Sequence, residues 1–180
     1  MISEQAKERM RNLASRYPAA RSAVMPALYI AQQEAGYITR DALEAVAETI
    51  GLTVDDVESV ATFYTMYYQQ PPGKKVIKVC TSISCYLRNC DALVTHLEQR
   101  LGIKRGETTT DGNYTLMAVE CLASCGTAPV IQVNDEFVEQ VTLEKADALI
   151  DECDRELNAH VGTQFIASSS DQEISVPRAQ

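Results

Sequence analysis

Through the first seventy-three residues, apolar positions recur at three- and four-residue spacings, the period of helices packed on one face. Residues 3–16 predict one helix, stopped near Pro18. A second runs from 22 to 35, where Gly36 supplies a left-handed C-terminal turn. Pro26 fits that helix only in its first turn, where no N–H partner is missed. Thr39 caps a third helix with Ala42, Leu43, Val46, Ala47 and Ile50 on its apolar face, ended by Gly51. Thr53 then opens T-V-D-D, a capping-box-like start for a fourth through Val57, Val60 and Ala61. The segment Phe63 to Tyr68 is unusually aromatic, and Pro71-Pro72-Gly73 reads as a linker.

Beyond Gly73 the pattern changes. Residues 76–79 predict a short strand ending at Cys80. Leu87, Cys90, Val94, Leu97 and Leu101 predict an amphipathic helix over 85–101, closed by Gly102. Residues 114–119 predict a second strand, and 130–133 with 136–141 a hairpin around Asn134-Asp135. Residues 143–157 predict a last helix, with Leu143, Ala146, Leu149, Ile150, Cys153 and Leu157 on one face. The order β-α-β, then β-β-α, predicts an α/β fold: a thioredoxin-like mixed four-stranded sheet with an N-terminal helical bundle. On this reading 1–73 is the bundle, 74–157 the sheet domain and 158–180 a flexible tail without sustained periodicity. Ala128-Pro129 stands where thioredoxin-like folds carry a cis-proline.

Composition narrows the function. The chain is 46% apolar, enough for a core without staples, and carries a net charge of −9 with a pI near 4.7. That balance argues against nucleic-acid or anionic-membrane surfaces, which select basic patches. The longest apolar run, Ala23 to Ala31, is interrupted by Pro26 and falls well short of a membrane span. The opening MISEQAKERMRNL has no apolar signal core, so a cytoplasmic, soluble chain without direct membrane insertion is expected. In a reducing compartment, the six cysteines at 80, 85, 90, 121, 125 and 153 point to metal or redox chemistry before disulfides.

Four of them form C-T-S-I-S-C (80–85) and C-L-A-S-C (121–125), a C-x4-C and a C-x3-C separated by thirty-five residues. If 76–79 and 114–119 are parallel strands joined by a right-handed crossover, both pairs begin at carboxyl ends on one sheet edge. Cys80, Cys85, Cys121 and Cys125 are therefore the candidate ligands of one site. The spacing does not exclude zinc, but a C-x4-C opening is that of plant-type 2Fe–2S proteins and favours iron. Thr81, Ser82, Ser84, Ser124, Gly126 and Thr127 leave backbone N–H groups free to approach the anionic sulfurs. The start of the 85–101 helix adds favourable potential there. Glu120, the one carboxylate beside a ligand, should point away from Cys121 if it lies on a strand. A thioredoxin-type dithiol enzyme needs C-x-x-C, which is absent. Cys90 and Cys153 fall on apolar helix faces and read as small buried hydrophobes. There is no G-x-G-x-x-G and no P-loop, and His96 and His160, the only histidines, are not placed as general bases. No catalytic site is expected in the isolated chain, only electron carriage.

At E-A-V-A (44–47), V-A-T-F-Y (60–64), V-C-T-S-I-S-C-Y-L-R-N-C (79–90), V-E-C-L-A-S-C-G-T-A-P (119–129) and I-Q-V-N-D (131–135), the chain resembles the thioredoxin-like 2Fe–2S subunit of respiratory complex I, NADH:quinone oxidoreductase. The resemblance covers roughly residues 3–155. It implies a 2Fe–2S cluster on Cys80, Cys85, Cys121 and Cys125. It also implies a partner subunit binding FMN and NADH within a larger multi-subunit assembly, peripheral to the inner membrane through other subunits. Subunits of the same build serve NAD-reducing hydrogenases and NAD-dependent formate dehydrogenases. Cys90 matches no expected family ligand. The run Phe63, Tyr64, Met66, Tyr67 and Tyr68 is a candidate partner contact, or else glue between bundle and sheet. A different reading takes 39–62 as a helix-turn-helix of an iron–sulfur regulator. Between Tyr37 and Tyr68, however, one basic residue, Arg40, faces six acidic ones, the reverse of a DNA surface.

Overall fold

The computed structural model describes the backbone of residues 2–161 and the side chains of residues 2–159. Four helices come first: α1 (Glu4–Ala14), α2 (Val24–Ala35), α3 (Arg40–Ile50) and α4 (Val54–Phe63). Their ends follow local chemistry. The hydroxyls of Ser3, Thr39 and Thr53 accept from the N–H groups of Ala6, Ala42 and Asp56, capping α1, α3 and α4. Gly36 and Gly51 close α2 and α3 at φ +81° and +75°, a conformation glycine adopts without steric penalty. Pro26 is the third residue of α2, inside the first turn, and a 3-10 turn at Ala20–Ala23 occupies the stretch expected to begin that helix. Met10, Val24, Leu28, Val46 and Val57 fill the bundle core.

Tyr67 belongs to that core. Its ring is buried, its hydroxyl donates to the Met25 carbonyl at 2.8 Å, and burial pushes the phenol up to about 12. The aromatic run therefore divides: Phe63, Tyr64 and Met66 stay exposed, and Tyr68 turns toward the sheet, with Lys78 Nζ 5.9 Å from its ring centroid. The linker ends at Gly73, whose N–H donates to Thr115 Oγ1 at 2.6 Å. A Cβ there would meet the Tyr114 carbonyl carbon at 2.6 Å, so only glycine lets the chain enter the sheet this close to its neighbour.

The second unit holds β1 (Lys75–Cys80), α5 (Ile83–Tyr86), α6 (Cys90–Leu101), β2 (Tyr114–Val119), β3 (Ile131–Val133), β4 (Glu136–Val138) and α7 (Leu143–Val161). The sheet order is β2-β1-β3-β4. β1 and β2 run parallel, with Cys80 opposite Val119, while β1–β3 and β3–β4 are antiparallel. This is the mixed four-stranded arrangement the sequence predicts, and the Ala128–Pro129 bond is cis. Ile77, Val79, Leu116 and Ile131 pack one sheet face against Leu93 and Leu97 of α6 and Ala146 and Ile150 of α7.

Three expectations need correction. The helix expected over 85–101 is broken: α5 is one short turn, Asn89 takes a left-handed φ of +67°, and α6 starts at Cys90. Asn tolerates that conformation, and the apolar period hides the break because Leu87, which the period places on the buried face, is 75% exposed. The favourable end of the long helix therefore lies at Cys90, not at Cys85. β4 stops at Val138, short of 141, because the Gln140 and Val141 N–H groups bond the carbonyls of Thr127 and Pro129 instead of a strand. Finally, α7 continues to Val161, past the 157 limit expected for it. Residues 162–180, most of the expected tail, lie outside the described residues.

Candidate metal centre

Cys80 ends β1 and is 4% exposed. The Thr81 N–H donates to the Val119 carbonyl at 2.8 Å, carrying the parallel ladder one step past both strand ends. This is why the first ligand candidate and the approach to Cys121 lie side by side: the Cys80 thiol reaches the carbonyl of Glu120 at 3.8 Å. Glu120 itself lies just beyond β2 and is exposed, so strand alternation does not set its direction. Cys85 sits on α5, 2% exposed, in the same small buried cluster as Cys80. Burial first, then the Cys80 contact, push its thiol up to about 11, while a main-chain hydrogen bond from Val130 acts the other way.

Cys121 and Cys125 are exposed, on an irregular loop closed by a 3-10 turn at Cys125–Thr127. That turn packs against α5, so the second pair is held beside the helix that carries Cys85. Ala123 takes φ +60° and donates its N–H to Cys121 Sγ at 3.3 Å. The site therefore has a buried half and a surface half. Cys121 also opens on a groove of about 610 Å³ between bundle and sheet, lined by Tyr29, Met66, Tyr68, Lys78 and Leu122.

Cys90 and Cys153 are buried, as expected of small hydrophobes. They differ in neighbours. Cys153 packs in the main sheet core, whereas Cys90, fully buried, shares a small cluster with Cys80, Cys85, Ala128 and Val130. Burial raises both thiols. His96 ties α6 to α7 through Asp147 at 2.8 Å, a structural bond away from the cysteines. His160 lies outside the residues whose side chains are described.

Glu139 is the residue that sequence reasoning missed. Its carboxylate accepts from the hydroxyls of Ser124 and Thr127, which flank Cys125, and these two donors hold it below the usual carboxylate range. In the sequence, the small polar residues of that loop suggest only room for backbone donors.

The donor set suits a two-iron cluster. Four sulfurs come in two pairs, a main-chain N–H reaches Cys121, and Cys80 and Cys85 are shielded from water. A thioredoxin-like sheet with cysteine pairs after its two parallel strands defines a small iron–sulfur protein of the electron-carrier kind. The model of the family described as thioredoxin-like [2Fe-2S] ferredoxin matches residues 10–154. The chain is 45% identical over 145 residues to the E 2 subunit of the NADH-quinone oxidoreductase of Rhizobium meliloti (strain 1021), covering 81% of this chain and 86% of that one. It is 46% identical over 131 residues to NADH-quinone oxidoreductase subunit 2 of Thermus thermophilus, covering 72% of each. An NAD+-reducing [NiFe]-hydrogenase in its air-oxidized state shares the fold at TM-score 0.64 and 21% identity, over 77% of this chain and 24% of that one. This protein belongs to the thioredoxin-like [2Fe-2S] ferredoxin family, and its cofactor is a 2Fe–2S cluster.

Proposed function

We propose that this chain is the 2Fe–2S electron-carrier subunit of an NADH:quinone oxidoreductase, with Cys80, Cys85, Cys121 and Cys125 as the cluster ligands. The observation that carries the reading is the junction of the two cysteine pairs. Parallel pairing of β1 with β2 and packing of the Cys125 turn on α5 bring them to one corner, in a chain 45% identical to a subunit of an NADH-quinone oxidoreductase. When bound, the cluster supplies one-electron transfer. The protein's part is to hold it half in and half out: Cys80 and Cys85 from the dry side, Cys121 and Cys125 at the surface, where a redox partner approaches. The Ala123 N–H directed at Cys121 Sγ stabilises that thiolate without adding a titratable group.

The partner follows from chemistry this chain lacks. NADH gives up two electrons together as hydride, so a subunit that converts hydride to single electrons must stand between NADH and this one. With neither a G-x-G-x-x-G nor a P-loop here, FMN and NADH belong to that neighbour. Phe63, Tyr64 and Met66, exposed at the edge of the bundle, are candidates for its contact. Among the described residues no helix is long and apolar enough to cross a membrane. We place the chain in the cytoplasm, peripheral to the inner membrane through other subunits of a larger assembly, with residues 1–73 as bundle and 74–161, to the end of α7, as cluster domain. A second reading, the equivalent diaphorase subunit of an NAD-reducing hydrogenase or NAD-dependent formate dehydrogenase, draws on the shared hydrogenase fold.

Affinity purification of the tagged native protein distinguishes these. The expected product is a flavoprotein with NADH–ferricyanide reductase activity, accompanied by quinone-reducing subunits. Recovery with a nickel–iron or formate-oxidising subunit moves the assignment to the second reading. Recovery of the chain alone, cluster intact, contradicts both.

A further inference from the structure

The loop bearing Cys121 and Cys125 has little of its own to hold it. Between β2 and the 3-10 turn it forms no regular element, Ala123 takes a left-handed backbone conformation, and Leu122 is its one apolar anchor, only partly buried. Beyond the turn's own bonds from the Thr127 N–H and Oγ1 to the Ser124 carbonyl, at 3.2 and 3.1 Å, the fixing contacts come from the strap that leaves β4. The Gln140 N–H donates to the Thr127 carbonyl at 2.7 Å and the Val141 N–H to the Pro129 carbonyl at 2.9 Å. Gln140 itself takes φ +50° to make that turn. Glu139 completes the strap: one carboxylate oxygen accepts from both Ser124 Oγ and Thr127 Oγ1, and the two hydroxyls lie 2.8 Å apart. Lys145 Nζ donates to the Glu139 main-chain carbonyl at 2.5 Å, tying the strap to α7.

We propose that Glu139 is a positioning residue for the cluster: by clamping Ser124 and Thr127, it fixes the turn that presents Cys125 and holds the surface half of the site in shape. The proposal rests on Cys121 and Cys125 being ligands. It assigns a purpose to a carboxylate that is otherwise out of place beside an anionic site. Glu139 bonds the side chain of the residue preceding Cys125, so its negative charge would oppose added negative charge at the site and the clamp would also lower the reduction potential. Glu139 is the acceptor that both hydroxyls share, and an amide oxygen can replace the carboxylate oxygen in that role without its charge.

The test uses the full chain loaded with its cluster. Visible absorbance follows cluster loss to an iron chelator, and EPR-monitored titration gives the midpoint potential. Glu139→Ala should lose the cluster about tenfold faster than the wild type, the lower end of what outer-shell partners of metal ligands contribute. Glu139→Gln should stay within about threefold of the wild type, because its amide oxygen keeps the acceptor, yet titrate at a more positive potential. Ser124→Ala with Thr127→Val should match Glu139→Ala, and adding Glu139→Ala to that pair should change the loss rate little further, since the three groups act as one unit. Loss from Glu139→Ala at the wild-type rate overturns the clamp, as does full additivity of the triple variant. Far-UV circular dichroism of each variant separates a local effect from misfolding. Cys121→Ala serves as the control for the underlying reading. If it keeps a wild-type cluster, the ligand assignment fails. If it loses the cluster while Glu139→Ala does not, only the clamp fails.

Discussion

Serine at Cys80, Cys85, Cys121 or Cys125 should abolish or badly perturb the 2Fe–2S cluster, whereas serine at Cys90 or Cys153 should leave it in place. The contrast comes from geometry more than from residue type. Cys80 and Cys85 pack in one small buried cluster, and Cys121 and Cys125 lie on the adjoining loop with an N–H already directed at one sulfur. Cys153 packs in the sheet core among Ile77, Leu97 and Ile150, with no other cysteine in that cluster. Cys90 is the demanding control, since it is fully buried in the same small cluster as Cys80 and Cys85. A hydroxyl left unpaired there costs roughly 1–3 kcal/mol of stability, so Cys90→Ser should be cluster-loaded but easier to unfold, and Cys90→Ala should suffer less. Iron and sulfide per chain, with urea unfolding alongside, reads both effects. A cluster retained intact in Cys125→Ser, or lost in Cys153→Ser, would sink the assignment.

NADH should fail to reduce the cluster of the isolated chain, and should reduce it rapidly once the flavoprotein partner is added. Hydride carries two electrons and a 2Fe–2S centre takes one, so direct transfer has no balanced route. The sequence supplies no dinucleotide fingerprint to hold NADH against the site. Stopped-flow bleaching of the visible band measures this directly, with dithionite as the positive control. Prompt bleaching by NADH alone, in a preparation free of flavin, would contradict the division of labour between subunits.

Most of the architecture is written locally. Thr39 and Thr53 at N-caps and Gly36, Gly51 and Gly102 at C-caps mark helix ends through single-residue chemistry, which a sequence displays openly. The parallel β1–β2 pair follows from strand, crossover and strand in order, and the cysteine pairs inherit their proximity from it. What stays hidden depends on partners distant in sequence. The break at Leu87–Asn89 lies beneath an unbroken apolar period, because the period counts Leu87 as buried and cannot see that it faces solvent. The placement of Cys90 against Cys80 and Cys85 needs the chain to turn at Asn89 first. Glu139 reads in sequence as part of a strand. Its contacts with Ser124 and Thr127 span fifteen and twelve residues, and no local pattern announces them. In the aromatic run, Tyr67 cannot be told from Phe63 until the bundle closes over one and leaves the other out.

The most direct test of the central claim is metal and spectroscopic analysis of the purified full chain. Two irons and two acid-labile sulfides per chain are expected, with a reddish-brown colour and a one-electron EPR signal that appears on reduction and vanishes in the four cysteine variants. A colourless protein holding a single zinc, with no signal in either state, would contradict the account.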